Sequence, residues 1–342
     1  MKAMILESLG PMAQRPAPLH LATVPDPTPG TGEVLVSVIT SGVCHTELDE
    51  IEGRTPPPSL PVILGHQVVG RVEERGTGAT RFQIGDRVGV AWIFDACGTC
   101  RHCEAGDENL CADFRATGRD VDGGYAEYMT VPESFAFPIP ELFSDAEAAP
   151  LLCAGAIGYR SFRLTGLSNG EPLGLTGFGA SGHLVLKMVR HTCPDTEVFV
   201  FARSPSERAF AMELGAAWSG DTGDRAPIGL RAIVDTTPVW RPVVEGLRNL
   251  APGGRLVINA IRKEDHDKEV LQTLSYADDL WMEREIKSVA NVAGRDVADF
   301  LDLAAQIPIK PEVQEYPLED ANVALQELKN RQIRGAKVLR IS

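Results

Sequence analysis

Basic residues are in short supply in this sequence. Lys and Arg number 33 against 47 Asp and Glu, for a formal net charge of −14. A chain this acidic has no broad attraction for phosphate backbones or anionic lipid surfaces. Long apolar runs are missing too: no segment supplies the roughly 20 apolar residues a membrane helix needs. Met1 to Gly10 carries one lysine and no apolar core of signal-peptide length. The expectation is a cytoplasmic protein with no nucleic-acid and no membrane partner. Internal repeats and low-complexity tracts are also absent from the sequence.

What is present is ordinary globular material, 44% hydrophobic and 23% charged. A chain of 342 residues exceeds the usual size of one hydrophobic core, so two domains are expected. Val34 to Ser41, Val68 to Glu73 and Arg87 to Trp92 are short β-rich runs separated by Pro- and Gly-rich connections. From about Leu173 the texture changes. Strand-like runs at 173–176, 198–201, 232–235 and 255–258 alternate with helix-like stretches at 184–189, 207–214 and 243–250. That alternation predicts parallel strands with crossover helices, a doubly wound α/β domain. A final helix-like run, Leu318 to Asn330, and a strand-like Lys337 to Ile341 can return to the first domain.

The seven cysteines carry the chemistry. Without an export signal they read as reduced thiols, available to metal or catalysis. Cys97, Cys100, Cys103 and Cys111 fall in the spacing C-x2-C-x2-C-x7-C, which lets four thiolates converge tetrahedrally on one ion. Two disulfides or an iron–sulfur cluster are the alternatives. With four protein ligands and no open position, such a zinc site holds a loop and performs no chemistry. Arg101, His102 and Arg115 are placed to offset its negative charge.

Cys44 in Gly42-Val43-Cys44-His45-Thr46-Glu47, Cys153 in Leu152-Cys153-Ala154-Gly155, and His66 in Gly65-His66-Gln67 form a second set. Two thiolates and one imidazole leave one coordination position open, the pattern of a catalytic zinc. Singly, each is weak, since a lone cysteine is usually a core residue. Cys193 has no partner motif and reads as structural.

Taken in order, the Cys44 segment, Gly65-His66-Gln67-x-x-Gly70, the four-cysteine knot, Gly123-Gly124-Tyr125-Ala126-Glu127-Tyr128 and the Cys153 segment resemble the zinc-dependent medium-chain alcohol dehydrogenases over essentially the full chain. The resemblance implies a GroES-like β-rich catalytic domain, 1–151 completed by 305–342, and a Rossmann cofactor-binding domain, 152–304. It implies that Cys44, His66 and Cys153 hold a catalytic zinc, so that two Zn2+ are expected per chain. Water on such an ion has a pKa near ~7 instead of ~15.7, and an alcohol bound there is acidified similarly. Hydride then passes to the nicotinamide, interconverting alcohols with aldehydes or ketones. A double-bond or quinone reductase, or a cofactor-binding protein without turnover, is the competing expectation, and the zinc triad argues against both.

By the same resemblance Thr46 bonds the substrate oxygen and begins a proton relay, and His45 stands near the cofactor pyrophosphate. Trp92 and Ile93 line the substrate pocket, which suits an apolar alcohol or aldehyde, and a homo-oligomer, dimer or tetramer, is expected. Three positions depart from the family pattern. Gln67 replaces a glutamate, which removes a negative charge and predicts a more electrophilic zinc. Glu47 replaces an aspartate that can accept from the His66 ring. Asp49 replaces the histidine that ends the relay, so the relay ends either at this carboxylate or in water.

Gly177-Phe178-Gly179-Ala180-Ser181-Gly182 fits G-x-G-x-x-G between an apolar strand and a helix, the setting of a dinucleotide fold. Gly177, Gly179 and Gly182 permit the tight turn and close approach to a pyrophosphate at the helix N-terminus. About 20 residues on, an NAD-preferring chain places an acid, but this one reads Phe201-Ala202-Arg203-Ser204. Arg203 with Ser204 suits a 2′-phosphate, so NADP(H) is favoured over NAD(H). Many relatives set an arginine near the C-terminus against the pyrophosphate; the tail here reads Arg334-Gly335-Ala336-Lys337, with no role assigned.

Overall fold

The computed structural model describes residues 1–307, 309–330 and 335–342, so Arg334 lies outside the described residues. The chain divides into two units, Met1–Cys153 with Val292–Ser342, and Ala154–Asn291.

The first unit is built on a seven-stranded sheet. Its spine is the long strand Glu33–Val43, whose alternate side chains Val34, Val36 and Val38 are completely buried. That strand pairs antiparallel with Val68–Arg75 on one side and, along its second half, with Ala336–Arg340 on the other, where Val338 faces Gly42. The C-terminal strand is therefore part of this sheet, as its strand-like sequence suggested. Two apolar clusters fill the unit, one around Val36, Val68, Val88 and Val131, the other around Leu64, Tyr125, Leu325 and Leu339. Cys44, Cys97, Cys100, Cys103, Cys111 and Cys153 all lie outside its strands.

The second unit is a six-stranded parallel sheet. In spatial order its strands are Trp218–Gly220, Val198–Phe201, Leu173–Thr176, Leu230–Asp235, Leu250–Ile258 and Glu285–Ser288. Numbered along the chain this is the order 3-2-1-4-5-6 of a doubly wound nucleotide-binding sheet. Val198–Phe201 and Leu173–Thr176 are buried at every position, because helices cover both faces of a parallel sheet. One sequence expectation fails locally. The helix expected to reach Leu250 ends at Leu247, and Leu250 opens the next strand. Apolar residues at 243, 244, 247 and 250 fit helical spacing equally well, and only pairing with Leu230 across the sheet decides Leu250.

Candidate active site and metal centres

Cys44 caps the helix His45–Ile51, which leaves the end of the long strand Glu33–Val43. Cys153 sits in a π-helical turn, Leu151–Gly155, directly after Pro150. Proline offers no N–H to the helical ladder, and wide turns of this kind recur at functional positions. His66 follows Gly65, whose φ of +99° and close approach to Tyr125 leave no room for a side chain. Together these three devices bring Cys44 Sγ to 3.9 Å from Cys153 Sγ, and His66 Nε2 to 3.3 Å from Cys153 Sγ.

Tetrahedral bonds of about 2.3 Å to sulfur and about 2.0–2.1 Å to nitrogen require edges of about 3.8 Å between sulfurs and about 3.5 Å between sulfur and nitrogen. The triad therefore fits a zinc ion without rearrangement. Hydrogen bonding from Cys153 and His66 draws the Cys44 thiol well below its ordinary range, against the effect of burial, while Cys44 in turn holds the Cys153 thiol high. One of two adjacent thiols is thus poised to lose its proton.

Glu47 is completely buried, and its carboxylate is shared. One oxygen lies 2.6 Å from His66 Nδ1 and the other accepts the Cys44 N–H at 2.8 Å. Burial is the largest single influence and would lower the basicity of His66, but Glu47 and Cys44 together outweigh it and hold the ring well above its usual pKa. With Nδ1 committed to Glu47, Nε2 is the nitrogen left facing the cysteines. Glu47 thus performs from a longer side chain the task expected of an aspartate.

Thr46 is buried, its hydroxyl 3.7 Å from Cys44 Sγ, and His45 next to it is exposed. Asp49 is buried with its carboxylate 2.5 Å from Arg54 Nε. The Asp49 carboxylate is thus engaged by a guanidinium. Gln67 is buried with its side chain against Gly42, where a Cβ would come within 2.5 Å of Oε1.

The knot closes as its spacing implies. Cys103 Sγ is 3.6 Å from Cys100 Sγ and 3.9 Å from Cys97 Sγ, and all four ligand atoms lie within 4.8 Å of one another. Cys111 accepts N–H bonds from Cys97 at 3.5 Å and Asp113 at 3.4 Å. Backbone N–H groups of Thr99 and Cys100 pull the Cys97 thiol down to about 6, whereas burial pushes Cys103 up to about 12. None of the seven cysteines is in a disulfide. Arg115 does not serve the knot as expected. Its guanidinium forks onto both oxygens of Asp95 and lies over the Phe94 ring. Arg101 instead turns toward His102.

Ile93 is fully buried and starts a short strand, Ile93–Asp95, paired with Arg115–Ala116. Trp92 is half-buried with its ring 5.1 Å from Phe114. Sequence reasoning missed their polar neighbours. Glu50, Thr55, Thr117 and Arg119 each hold a buried polar atom without a hydrogen-bond partner, as does Trp92 Nε1. Nothing in their spacing marks them, because a helix and two separate loops assemble them.

In the second unit Gly177 has φ +78°, and a Cβ there would meet Thr236 Oγ1 at 2.8 Å. A Cβ on Gly182 would meet the Gly177 carbonyl at 2.8 Å, while Gly179 faces open space at the cap of helix Ala180–Thr192. Two glycines are thus required by packing and the third leaves backbone accessible. Arg203 is exposed beyond strand Val198–Phe201, and Ser204 Oγ lies 2.6 Å from Ser206 Oγ. Arg208 donates to the carbonyls of Ala202 at 2.7 Å and Arg203 at 3.0 Å, fixing the loop.

Residues 30–141 match the model of the alcohol dehydrogenase GroES-like domain. A probable alcohol dehydrogenase, AdhA, of Mycobacterium tuberculosis (strain CDC 1551 / Oshkosh) is 43% identical over 97% of this chain and 95% of its own length. An alcohol dehydrogenase of Geobacillus stearothermophilus is 32% identical over the whole of both chains. Among solved structures, the cobalt- and zinc-bound thermostable alcohol dehydrogenase of Pyrobaculum aerophilum superposes with a TM-score of 0.85 at 25% identity, covering 100% of this chain and 99% of the other. With two sulfurs and an imidazole converging in one unit and a nucleotide-binding sheet forming the other, the chain belongs to the zinc-dependent medium-chain alcohol dehydrogenase family.

Proposed function

We propose that this alcohol dehydrogenase works through a zinc held by Cys44, His66 and Cys153, carries a second zinc on Cys97, Cys100, Cys103 and Cys111, and prefers NADP(H) to NAD(H). The convergence of Cys44, His66 and Cys153 at zinc-compatible edges carries the reading. When bound, the metal supplies the Lewis acidity that lowers an alcohol's pKa, and the nicotinamide accepts or returns the hydride.

The chain's own residues do the rest. Glu47 fixes the ring of His66. The buried Thr46 hydroxyl is placed beside Cys44 to take the substrate's hydroxyl proton and hand it outward. Asp49 is engaged with Arg54, and the proposed relay ends in water. The turn at Gly177, Gly179 and Gly182 gives a pyrophosphate access to the N-terminus of a 13-residue helix, and His45 is kept as a proposed cofactor-binding residue. Arg203, exposed and followed by the paired hydroxyls of Ser204 and Ser206, supports recognition of a 2′-phosphate.

The edge strand Glu285–Ser288 is exposed at every residue and lies close in sequence to exposed Trp281 and Met282. An open edge with apolar flanks supports pairing with a second copy, hence a homo-oligomer, dimer or tetramer. Seven free thiols support a reducing compartment such as the cytoplasm. No helix among the described residues is long and apolar enough to cross a membrane.

Metal analysis together with kcat/KM for an alcohol series using both cofactors tests the proposal. About two zinc ions per chain are expected from the ligand count, with higher kcat/KM for NADP+. One zinc or none, or equal efficiency with both cofactors, overturns the corresponding part.

A further inference from the structure

Glu50 is 1% exposed, and neither of its carboxylate oxygens has a hydrogen-bond partner. It stands three residues after Glu47 on the helix His45–Ile51, so both carboxyls project from the same helical face, and Glu47 holds His66. A buried carboxyl without a partner is costly, and the structure offers a reason to keep it. Arg119 lies within electrostatic reach of Glu50, and its Nε is buried and unpartnered although one terminal nitrogen binds Asp120 at 3.0 Å.

More unpartnered atoms accompany this pair. Thr117 is fully buried with an unpartnered hydroxyl, and its N–H donates to the Trp92 carbonyl at 2.8 Å. Trp92 Nε1 is likewise unpartnered. Thr55 hangs from the end of the Glu50 helix through its N–H bond to Asp49 and adds another hydroxyl. The loop carrying Thr117 and Arg119 packs against the backbone beside His66, since a Cβ on Gly118 would fall 2.8 Å from the Gly65 nitrogen.

We infer that Glu50 and Arg119, with Thr55, Trp92 and Thr117, form a polar subsite that recognises a second hydroxyl of the substrate, so that vicinal diols and polyols are preferred to simple alkanols. The chemistry selects this class. Glu50 offers acceptors, Arg119 Nε and Trp92 Nε1 offer donors, and a hydroxyl is both donor and acceptor. An ammonium would suit Glu50 and be repelled by Arg119; a carboxylate would meet the reverse. The apolar tail of an alkanol would leave all of these atoms unserved, and sites built to bond a hydroxyl discriminate strongly against the analogue lacking it. The inference rests on the reading of Cys44, His66 and Cys153 as the reaction centre.

The test compares kcat/KM for 1,2-propanediol and glycerol with that for 1-propanol and 1-butanol, using the zinc-loaded full chain. The diol-to-alkanol ratio should exceed one in the wild type. It should fall about tenfold or more in Glu50→Gln and in Arg119→Met, the loss expected when a buried donor or acceptor is left unsatisfied. Should Glu50→Gln fail to fold, Arg119→Met and Thr117→Val give the same readout. A wild-type ratio below one, or a ratio the variants leave in place, overturns the subsite and means that water alone serves these atoms. Turnover of neither class removes the reaction centre itself, and the inference with it.

Discussion

Replacing Glu47 by glutamine removes one acceptor and almost no volume. The carboxylate serves two partners at once, His66 Nδ1 in an ion pair at 2.6 Å and the Cys44 N–H in a hydrogen bond at 2.8 Å. A glutamine has one acceptor oxygen and an NH2 group, so one donor must lose its partner. If the amide oxygen stays with Cys44, its NH2 faces Nδ1. The ring is then driven to the tautomer that carries its proton on Nε2, the nitrogen 3.3 Å from Cys153. A protonated Nε2 cannot ligate a metal. A hydrogen bond to a charged group contributes about 1.5–3 kcal/mol, which converts to roughly 10–100-fold in affinity, the same range as losing a partner of a metal-binding histidine.

Glu47→Gln should therefore release one zinc about 10–100-fold more readily to a chromophoric chelator. A zinc held at the proposed site of Cys97, Cys100, Cys103 and Cys111 should leave as in the wild type, because Glu47 is not part of that cluster. The two-phase release thus contains its own control. Equal release of the first zinc from variant and wild type would refute the tautomer argument. Faster release of both would point to a general change in the fold.

Cys103→Ser should cost the second zinc and lower Tm while leaving the stoichiometry at the first site near one, read by metal analysis and calorimetry; full retention of both ions would count against a four-thiolate site. Arg203→Leu should lower the ratio of kcat/KM for NADP+ over NAD+ by about tenfold, the loss of one charge-assisted bond, and an unmoved ratio would remove Arg203 from cofactor selection. Lys337 and the Tyr316 hydroxyl hold the Glu327 carboxyl below its ordinary value of 4.5. A depressed carboxylate stabilises the fold above the unfolded pKa, and that stability is lost as pH falls through the folded pKa. Glu327→Gln should thus lower the urea midpoint at pH 7 and converge with the wild type below the folded pKa; a constant difference at both ends would refute the linkage.

Much of this molecule is written in local sequence. The knot lies within 15 residues, so its spacing alone restricts how four sulfurs can meet. The glycine turn is equally local, since a strand, a positive-φ glycine and a helix start follow one another along the chain. Alternating apolar runs gave away four strands of the parallel sheet for the same reason; the edge strands Trp218–Gly220 and Glu285–Ser288 carry no such run, and Leu250 satisfied two periods at once. Glu47 and Asp49 were visible as departures, but their partners were not. Glu47 reaches His66 from 19 residues away in sequence, and Asp49 is engaged by Arg54 through a turn that no spacing rule encodes. Arg115, close to the knot along the chain, is claimed by Asp95 through a strand pairing.

Residue type and order thus determined the family, the candidate ligand sets and the glycine turn, because each depends on residues within one short segment or on motifs in a fixed order. Only the tertiary structure decided which carboxylate orients His66, that Asp49 is held in an ion pair, and that buried Glu50 and the half-buried Arg119 carry enclosed, unpartnered atoms. Burial and hydrogen-bond satisfaction depend on what the fold brings from elsewhere in the chain, and neither is a property of the residue that experiences it.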